Sequence, residues 1–432
     1  MLGLSLAMTL ARGGMSVTLY EASSEPGGLV SGWSWSGITW NRHDHVILPA
    51  DTALLALLRD AGLEDQVLWR SPKTAFFANG RIYPCTTALE HLRFPLLTLA
   101  DKYRLRSMIA RARRTTDWRQ LATEPAEAYL RREGGDRAFE RIWRPLLRAR
   151  LGEGYREVSA SFVWAMIQRQ FGNGVHAPPR RLGFLRCGYA GLIASMVRAL
   201  SAMGVRIQRG ATVRQVTAAA NGMLAVHTDT AARVYHRVVV TVPPAAAAHL
   251  CTPLADEERD RLRAIAYQGV ICASLLLDRP LGHAYRTTIA DEQIPFTSAV
   301  ETSALCGTEP FGGRHLLYLS RYCGTQDPLF TAGDAAIRER AAAALSRLYP
   351  HFNEGSIRAL RISRVPAAFA LPTIAYFGRI PGFSTTRRGL YLAASAQIVN
   401  GTLTVNETLG LASRAATHIA LDARYTGVQS SV

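Results

Sequence analysis

Apolar positions along this chain switch between a helical and a two-residue period in short blocks. Gly3 opens a helical run carrying Leu6 and Leu10, and Gly13-Gly14 closes it, because glycine accepts the left-handed conformation that ends helices. Val17, Thr18, Leu19 and Tyr20 follow as a short strand ended by Glu21, and Glu25-Pro-Gly-Gly-Leu29 comes next. Trp33/Trp35 and Ile38/Trp40 alternate around Ser36-Gly37, which predicts a hairpin delivering Arg42, His43 and His45 to a loop or strand end. Leu54, Leu55, Leu57 and Leu58 predict a helix over 51–62, and Asn79-Gly80 predicts the turn of a second hairpin over 74–83.

Residues 85–170 read as mostly helical and basic, with Leu105, Met108, Ile109 and Ala112 forming one stripe. Leu192, Ile193, Met196, Val197, Leu200 and Met203 then predict a helix stopped by Gly204, followed by a strand and turn through Val213. The run Val238–Val242, ended by two prolines, is continuously apolar and fits a parallel strand covered on both faces. Strands expected at 270–278, within 296–322 and at 357–364 come with few crossover helices, which predicts a second, mixed or antiparallel sheet. A short strand at 389–394 and a helix over 406–420 complete the pattern.

Composition narrows the function classes. With 432 residues, 48% apolar content and a mean hydropathy of +0.03, the chain is globular and large enough for two or three domains. No apolar stretch reaches the ~20 residues that span a bilayer. The six cysteines contain no C-x-x-C pair, so reduced thiols in a cytoplasmic protein are expected and a zinc site is not. Net charge is +17, carried almost wholly by arginine; the lysines are Lys73 and Lys102. No nucleic-acid module is recognisable, so nucleic acid is not expected as a partner. The basic stretch over 101–114, with Arg104, Arg106, Arg111, Arg113 and Arg114 around its apolar stripe, suits either a solvated cap or peripheral contact with the inner face of a membrane.

The opening block carries the first chemical signal. Glu21 stands eighteen positions after Gly3, the spacing at which an acid follows the last glycine of a dinucleotide-binding fingerprint and accepts hydrogen bonds from a ribose. The strand and the first two glycines of that fingerprint do not precede Gly3, and a start upstream of Met1 is expected. A signal peptide does not fit, since no positive region precedes the apolar run. There is no G-x-S-x-G elbow and no metal-ligand spacing.

Four blocks stand in order: Gly3 to Glu21; Glu25-Pro-Gly-Gly-Leu29; Gly188-Tyr-Ala-Gly-Leu through Gly204 to Val213; and Val238–Pro244. With the closing strand and helix, Gly389–Ala420, the chain resembles the flavin-dependent amine oxidase superfamily, which includes protoporphyrinogen oxidases, phytoene desaturases and, more distantly, UDP-galactopyranose mutases. The resemblance implies an α/β fold. A Rossmann-like FAD domain would be assembled from residues 1–70, 184–245 and 385–432. A helical cap would span 71–183, and a substrate lobe with a mixed sheet 246–384. It implies FAD as cofactor and a small-molecule substrate.

Carried over by motif, Gly3 would pack under the pyrophosphate and Glu21 would bind the adenosine ribose. Gly27, Gly28 and Leu29 would let the backbone approach the cofactor, and Val213 would meet the adenine. Thr241 and Pro243 would lie beside the dinucleotide, and Val405 and Asn406 would open a helix whose N–H groups face the flavin. The acid that the family usually places before the last helix is absent here; Ser395, Gln397 or Asn400 would take its part. No lysine falls in a matching block, which argues for oxidase or desaturase chemistry on a hydrophobic substrate rather than simple amine oxidation. His45, Glu301 and Tyr376 are the candidate catalytic residues, with Tyr318, Tyr322 and Phe369 as an aromatic wall. A redox-neutral flavoenzyme resembling the mutases, and a degenerate FAD fold with a binding role, remain the alternatives.

Overall fold

The helix and strand expected at the start of the chain form as α1 (Leu2–Arg12) and β1 (Thr18–Glu21) in a computed structural model that describes residues 1–171, 181–398 and 403–428. The hairpin β2 (Gly32–Trp35) and β3 (Ile38–Asn41) follows, then α2 (Thr52–Asp60) and a second hairpin, β4 (Thr74–Ala78) with β5 (Arg81–Pro84). The cap begins with α3 (Ala88–Arg93) and α4 (Leu99–Arg114) and runs to α5 (Ala160–Phe171). Next come α6 (Gly188–Ala202), β6 (Arg206–Arg209) and β7 (Val238–Val240). The large sheet adds β8 (Tyr267–Leu277), β9 (Arg286–Ile289), β10 (Ser298–Glu301), β11 (His315–Cys323), α7 (Asp334–Leu348) and β12 (Ile357–Ala370). The strand β13 (Leu390–Leu392) and α8 (Val405–Val428) close the chain.

Two parallel pairs carry the nucleotide-type half. β1 pairs with β6 from Thr18↔Arg206 to Glu21↔Arg209, and β7 pairs with β13 from Val238↔Leu390 to Val240↔Leu392. The α1 helix packs on both: Leu4, Ala7 and Met8 join a core with α6, while Leu6 and Leu10 meet Tyr391, Ala393 and α8.

The other half is one mixed seven-stranded sheet in the order β12-β8-β11-β10-β9-β4-β5, antiparallel except for the β9–β4 contact. The mixed sheet is as expected. Its membership differs, because residues 74–84, assigned above to the helical cap, form its two last strands. The apolar run Ala75–Ala78 is buried on both faces, which a cap helix would not require. Side chains alternate across this sheet. On the back face Ile271, Ala273, Leu275 and Leu317 pack against Ile337, Ala341 and Leu345 of α7. On the front face Cys272, Leu276, Leu316 and Tyr318 meet Trp40 of the hairpin.

Candidate active site

The front face of the large sheet meets the chain segment Gly27–His45. Gly27 has φ +142°, and a Cβ there would lie 2.7 Å from Ile193 Cδ1. Gly28 has φ +60° with open space where its Cβ would be. The pair thus turns the chain while leaving one side of its backbone bare. Leu29 ends the turn, and its carbonyl accepts from His45 Nε2–H at 3.0 Å. A carbonyl only accepts, so Nε2 carries the proton and Nδ1 keeps its lone pair. Burial lowers the His45 pKa, against the Leu29 carbonyl and Asp44 which raise it, and the ring is neutral near pH 7.

Asp44 and Arg286 were not singled out from sequence, yet they organise this corner. The Asp44 carboxylate accepts from Tyr285 Oη at 2.6 Å and from Arg286 Nη2 at 2.9 Å. His43 meets Ser363 Oγ at 3.2 Å, tying the loop to β12, and burial with the nearby His45 and Arg42 pushes its pKa down to about 3. Tyr318 Oη donates to the Asn41 carbonyl at 2.7 Å and so locks the hairpin. A cavity of about 20 Å³ behind His45, lined by Asn41, Asp44, Phe184, Thr302 and Tyr318 among others, is too small for an organic ligand.

The remaining expected residues divide into those at the strand ends and those held elsewhere. Glu21 ends β1 and accepts from Ser23 N at 2.9 Å through one oxygen. Val213 opens the strand after β6. Thr241 and Pro243 follow β7, and a Cβ on Gly3 would stand 3.5 Å from Thr241 Oγ1 and 3.8 Å from Leu19 Cδ1. Those are ordinary contacts, so Gly3 brings the ends of both strand pairs together without being forced to be glycine by them. Ser395 follows β13, with its Oγ 3.0 Å from Tyr267 Oη, and Tyr376 Oη donates to the Ala396 carbonyl at 2.6 Å.

Three of the expected side chains are engaged within the protein. Glu301 lies on the back face: Val300 meets Tyr318's side of the sheet, and alternation sends Glu301 the other way. There its carboxylate accepts from Leu281 N and Gly282 N, away from His45. Gln397 is saturated, its Oε1 accepting from Ala394 N and its Nε2 donating to the Pro381, Gly382 and Leu392 carbonyls. Asn406 uses Oδ1 to accept from Ala53 N at 2.9 Å and Leu54 N at 3.2 Å, so its side chain caps α2. Asp51, the residue placed to cap α2, is turned toward Leu48 N and paired with Arg169 at 3.1 Å. Asn406→Ala therefore leaves two N–H groups unmet and is expected to cost about 1 kcal/mol, read as a lower Tm that Asn406→Asp restores. Val405 is buried at the start of α8 beside these contacts. Asn400 lies outside the described residues.

The start of α8 is the second place where the cap touches the parallel half. Arg169 Nη1 of α5 donates to Thr404 Oγ1 at 3.4 Å, and that hydroxyl oxygen accepts from Glu407 N. Between the Asp51–Arg169 pair and Asp44 sits Tyr189, stacked edge-on to His45 with ring centres 5.4 Å apart. Its hydroxyl is buried and has no hydrogen-bond partner among the described residues. A glycine turn bare on one side, converging strand ends, a helix start and an orphaned hydroxyl together fit an elongated, anionic dinucleotide. Among the described residues no cluster suits a metal ion, and no helix is long and apolar enough to cross a membrane.

No curated protein sequence matches the chain. Among solved structures, one from Exiguobacterium sp. 255-15 assigned as a protoporphyrinogen oxidase is 18% identical, with 98% of this chain and 97% of that one covered and a TM-score of 0.76. Cyclohexylamine oxidase from Brevibacterium oxydans IH-35A is 13% identical, covering 98% and 97%, with a TM-score of 0.71. A fatty acid isomerase from P. acnes that produces CLA is 14% identical, covering 96% of each chain, also with a TM-score of 0.71. These likenesses establish the fold. The profile described as flavin containing amine oxidoreductase matches residues 2–420, and the chain belongs to that family of FAD-dependent enzymes.

Proposed function

We propose that this enzyme removes a hydride from a hydrophobic or polycyclic small molecule. The observation that carries the reading is charge compensation at the Gly27–His45 corner. Asp44 is held by Arg286 and Tyr285, Asp51 by Arg169, and both His43 and His45 are neutral. A corner with its carboxylates paired favours a neutral substrate over a diamine, which would need an unpaired carboxylate.

FAD would be held by segments 1–70, 184–245 and 385–432, with 246–384 supplying the wall above it and 71–183 the cap. Gly27 and Gly28 would admit the pyrophosphate, and Glu21 would offer its second oxygen to the ribose. Gly3, Leu29, Val213, Thr241 and Pro243 would lie along the dinucleotide, and Ser395 and Val405 near its flavin end. Bound FAD supplies the hydride acceptor. The chain's own part is positioning and proton handling. The Leu29 carbonyl fixes the His45 ring, whose Nδ1 lone pair can take a proton released as a C–H bond is oxidised. Tyr376, pinned to Ala396 and neighbour to Tyr267 in one apolar cluster, would help exclude water. His45→Ala is expected to lower kcat about 100-fold, with FAD content and KM little changed, in steady-state assays of the reconstituted enzyme.

A second reading is supported by the fatty acid isomerase among the structural neighbours: flavin catalysis without net oxidation. A panel of apolar substrates and putrescine, tested anaerobically with oxidised and with pre-reduced flavin, separates the two. Bleaching of oxidised flavin by an apolar substrate supports the hydride reading. Turnover only after reduction supports the redox-neutral one. Bleaching by putrescine alone contradicts both. A protein that takes up no FAD would support a binding role instead.

A further inference from the structure

The surface formed by β5, α3 and the first turn of α4 combines exposed apolar side chains with unpaired arginines. Leu99 is 70% exposed and Tyr103 75%; Leu92 is 57% exposed, Leu89 52% and Ile82 37%. These are five of the eight large apolar residues left exposed among the described residues, gathered within twenty-two positions of sequence. The local fold explains why they point outward. Phe94 and Leu97 turn inward to a core with Phe76, Ala138 and Ile142, the Phe94 ring 5.7 Å from Phe76 and 6.0 Å from Tyr83. On α4, Met108 and Ala112 are buried with Leu105 and Ile109 packed beside them. Leu99, Tyr103 and Arg106 fall at i, i+4 and i+7 on the opposite, exposed face. Lys102 Nζ donates to the Leu92 carbonyl at 2.6 Å, fastening α4 beside α3 so that both apolar sets share one surface.

Charge tells what covers it. Arg81, Arg93 and Arg106 are exposed and form no ion pair among the described residues. The acids of the two helices are turned to their own backbones: Glu90 accepts from Thr86 N and Thr87 N, and Asp101 from Thr98 N. The result is a group of apolar side chains flanked by cations, with the two helix carboxylates engaged by backbone N–H groups. A protein partner would have to match both features. A bilayer containing anionic phospholipid matches them by its construction, since acyl chains take the leucines, the headgroup boundary takes Tyr103, and phosphates take the arginines.

We infer that the β5–α3–α4 surface docks this enzyme on an anionic phospholipid bilayer, with Leu89, Leu92, Leu99 and Tyr103 entering the interface. The contact is centred at the N-terminal end of the basic helix, not on its distal arginines. Arg111, for example, is engaged with Glu133 at 2.7 Å. This inference does not depend on the proposed reaction.

The test is co-sedimentation of the full chain with vesicles of phosphatidylcholine alone and of phosphatidylcholine mixed with phosphatidylglycerol. Wild type is expected to pellet with the mixed vesicles and to be released by salt. The quadruple variant Leu89→Ser, Leu92→Ser, Leu99→Ser, Tyr103→Ser should lose at least about tenfold in partitioning, whereas Arg111→Gln with Arg114→Gln should stay within about twofold. All of these side chains are exposed, and circular dichroism of each variant confirms its fold. Failure of wild type to bind the mixed vesicles overturns the inference. So does equal binding by the quadruple variant. A wild-type dimer that the quadruple variant dissociates, without vesicle binding by either, assigns the surface to a second copy of the chain and overturns it too.

Discussion

Gly27→Ala is expected to destabilise the protein and abolish stable flavin retention together. At φ +142° no L side chain is comfortable, and such a residue costs about 1–3 kcal/mol. The added Cβ would also meet Ile193 Cδ1 at 2.7 Å and the Ser31 backbone at 3.3 Å. Ile193 belongs to the core that α6 shares with α1, so it cannot swing away freely. The turn must move instead, carrying with it the Gly28 carbonyl that accepts from Ser31 and the Leu29 carbonyl that holds His45. Thermal melts of the protein without cofactor should show the stability loss, and the visible absorbance of protein desalted after FAD loading should show the retention loss. A variant with wild-type Tm and full flavin content would contradict this account of the turn.

The second large effect is on pH dependence. Glu301→Gln should make the protein more stable than wild type at pH 8.5 and about equal at pH 5. Burial raises the Glu301 carboxyl from its ordinary 4.5 to about 7, opposed by the N–H groups of Gly282 and Leu281. His315 Nδ1 is 3.8 Å away, but burial lowers its own pKa, so it offers no cation to offset the charge near neutral pH. The folded state therefore holds a proton that the unfolded state has lost between pH 4.5 and 7. Stability is fully present below the unfolded value and falls as pH rises through the folded one. The span corresponds to about 3 kcal/mol. Gln keeps an acceptor and has nothing to ionise, so Tm against pH should lose its decline between pH 5 and 8. An unchanged decline in Glu301→Gln would show that another group is responsible. A fall in turnover without that change in slope would return Glu301 to the chemistry.

What could be read in the sequence follows from the range of the forces involved. The α1–β1 unit, the Trp hairpin and the Gly27-Gly28 turn are set by nearest-neighbour patterning, and each formed where the spacing put it. Glu301 shows the limit: the strand was legible, but its face depended on where Val300 and Tyr318 met the hairpin, a pairing made across the sheet. Asn406 shows another, since capping of α2 joins residues more than three hundred positions apart. Asp44 stood in plain view between two histidines, but its partners Tyr285 and Arg286 lie at the start of a distant strand, and only their convergence gives it meaning. Arg169 carried no local signal at all; it acquires a role because α5 of the cap reaches the start of α8. The hairpin at 74–83 was recognised, but its membership of the seven-stranded sheet rests on a parallel contact with β9.

We place a flavin dinucleotide against the bare side of the Gly27–Gly28 turn, and calorimetric titration with FAD is decisive. Wild type should saturate at one FAD per chain. Gly28→Ala directs a methyl group into the open space beside the turn without touching another protein atom within 4 Å, so it should bind FAD about ten- to a hundredfold more weakly. Equal affinity in the two proteins would contradict the claim and move the cofactor elsewhere.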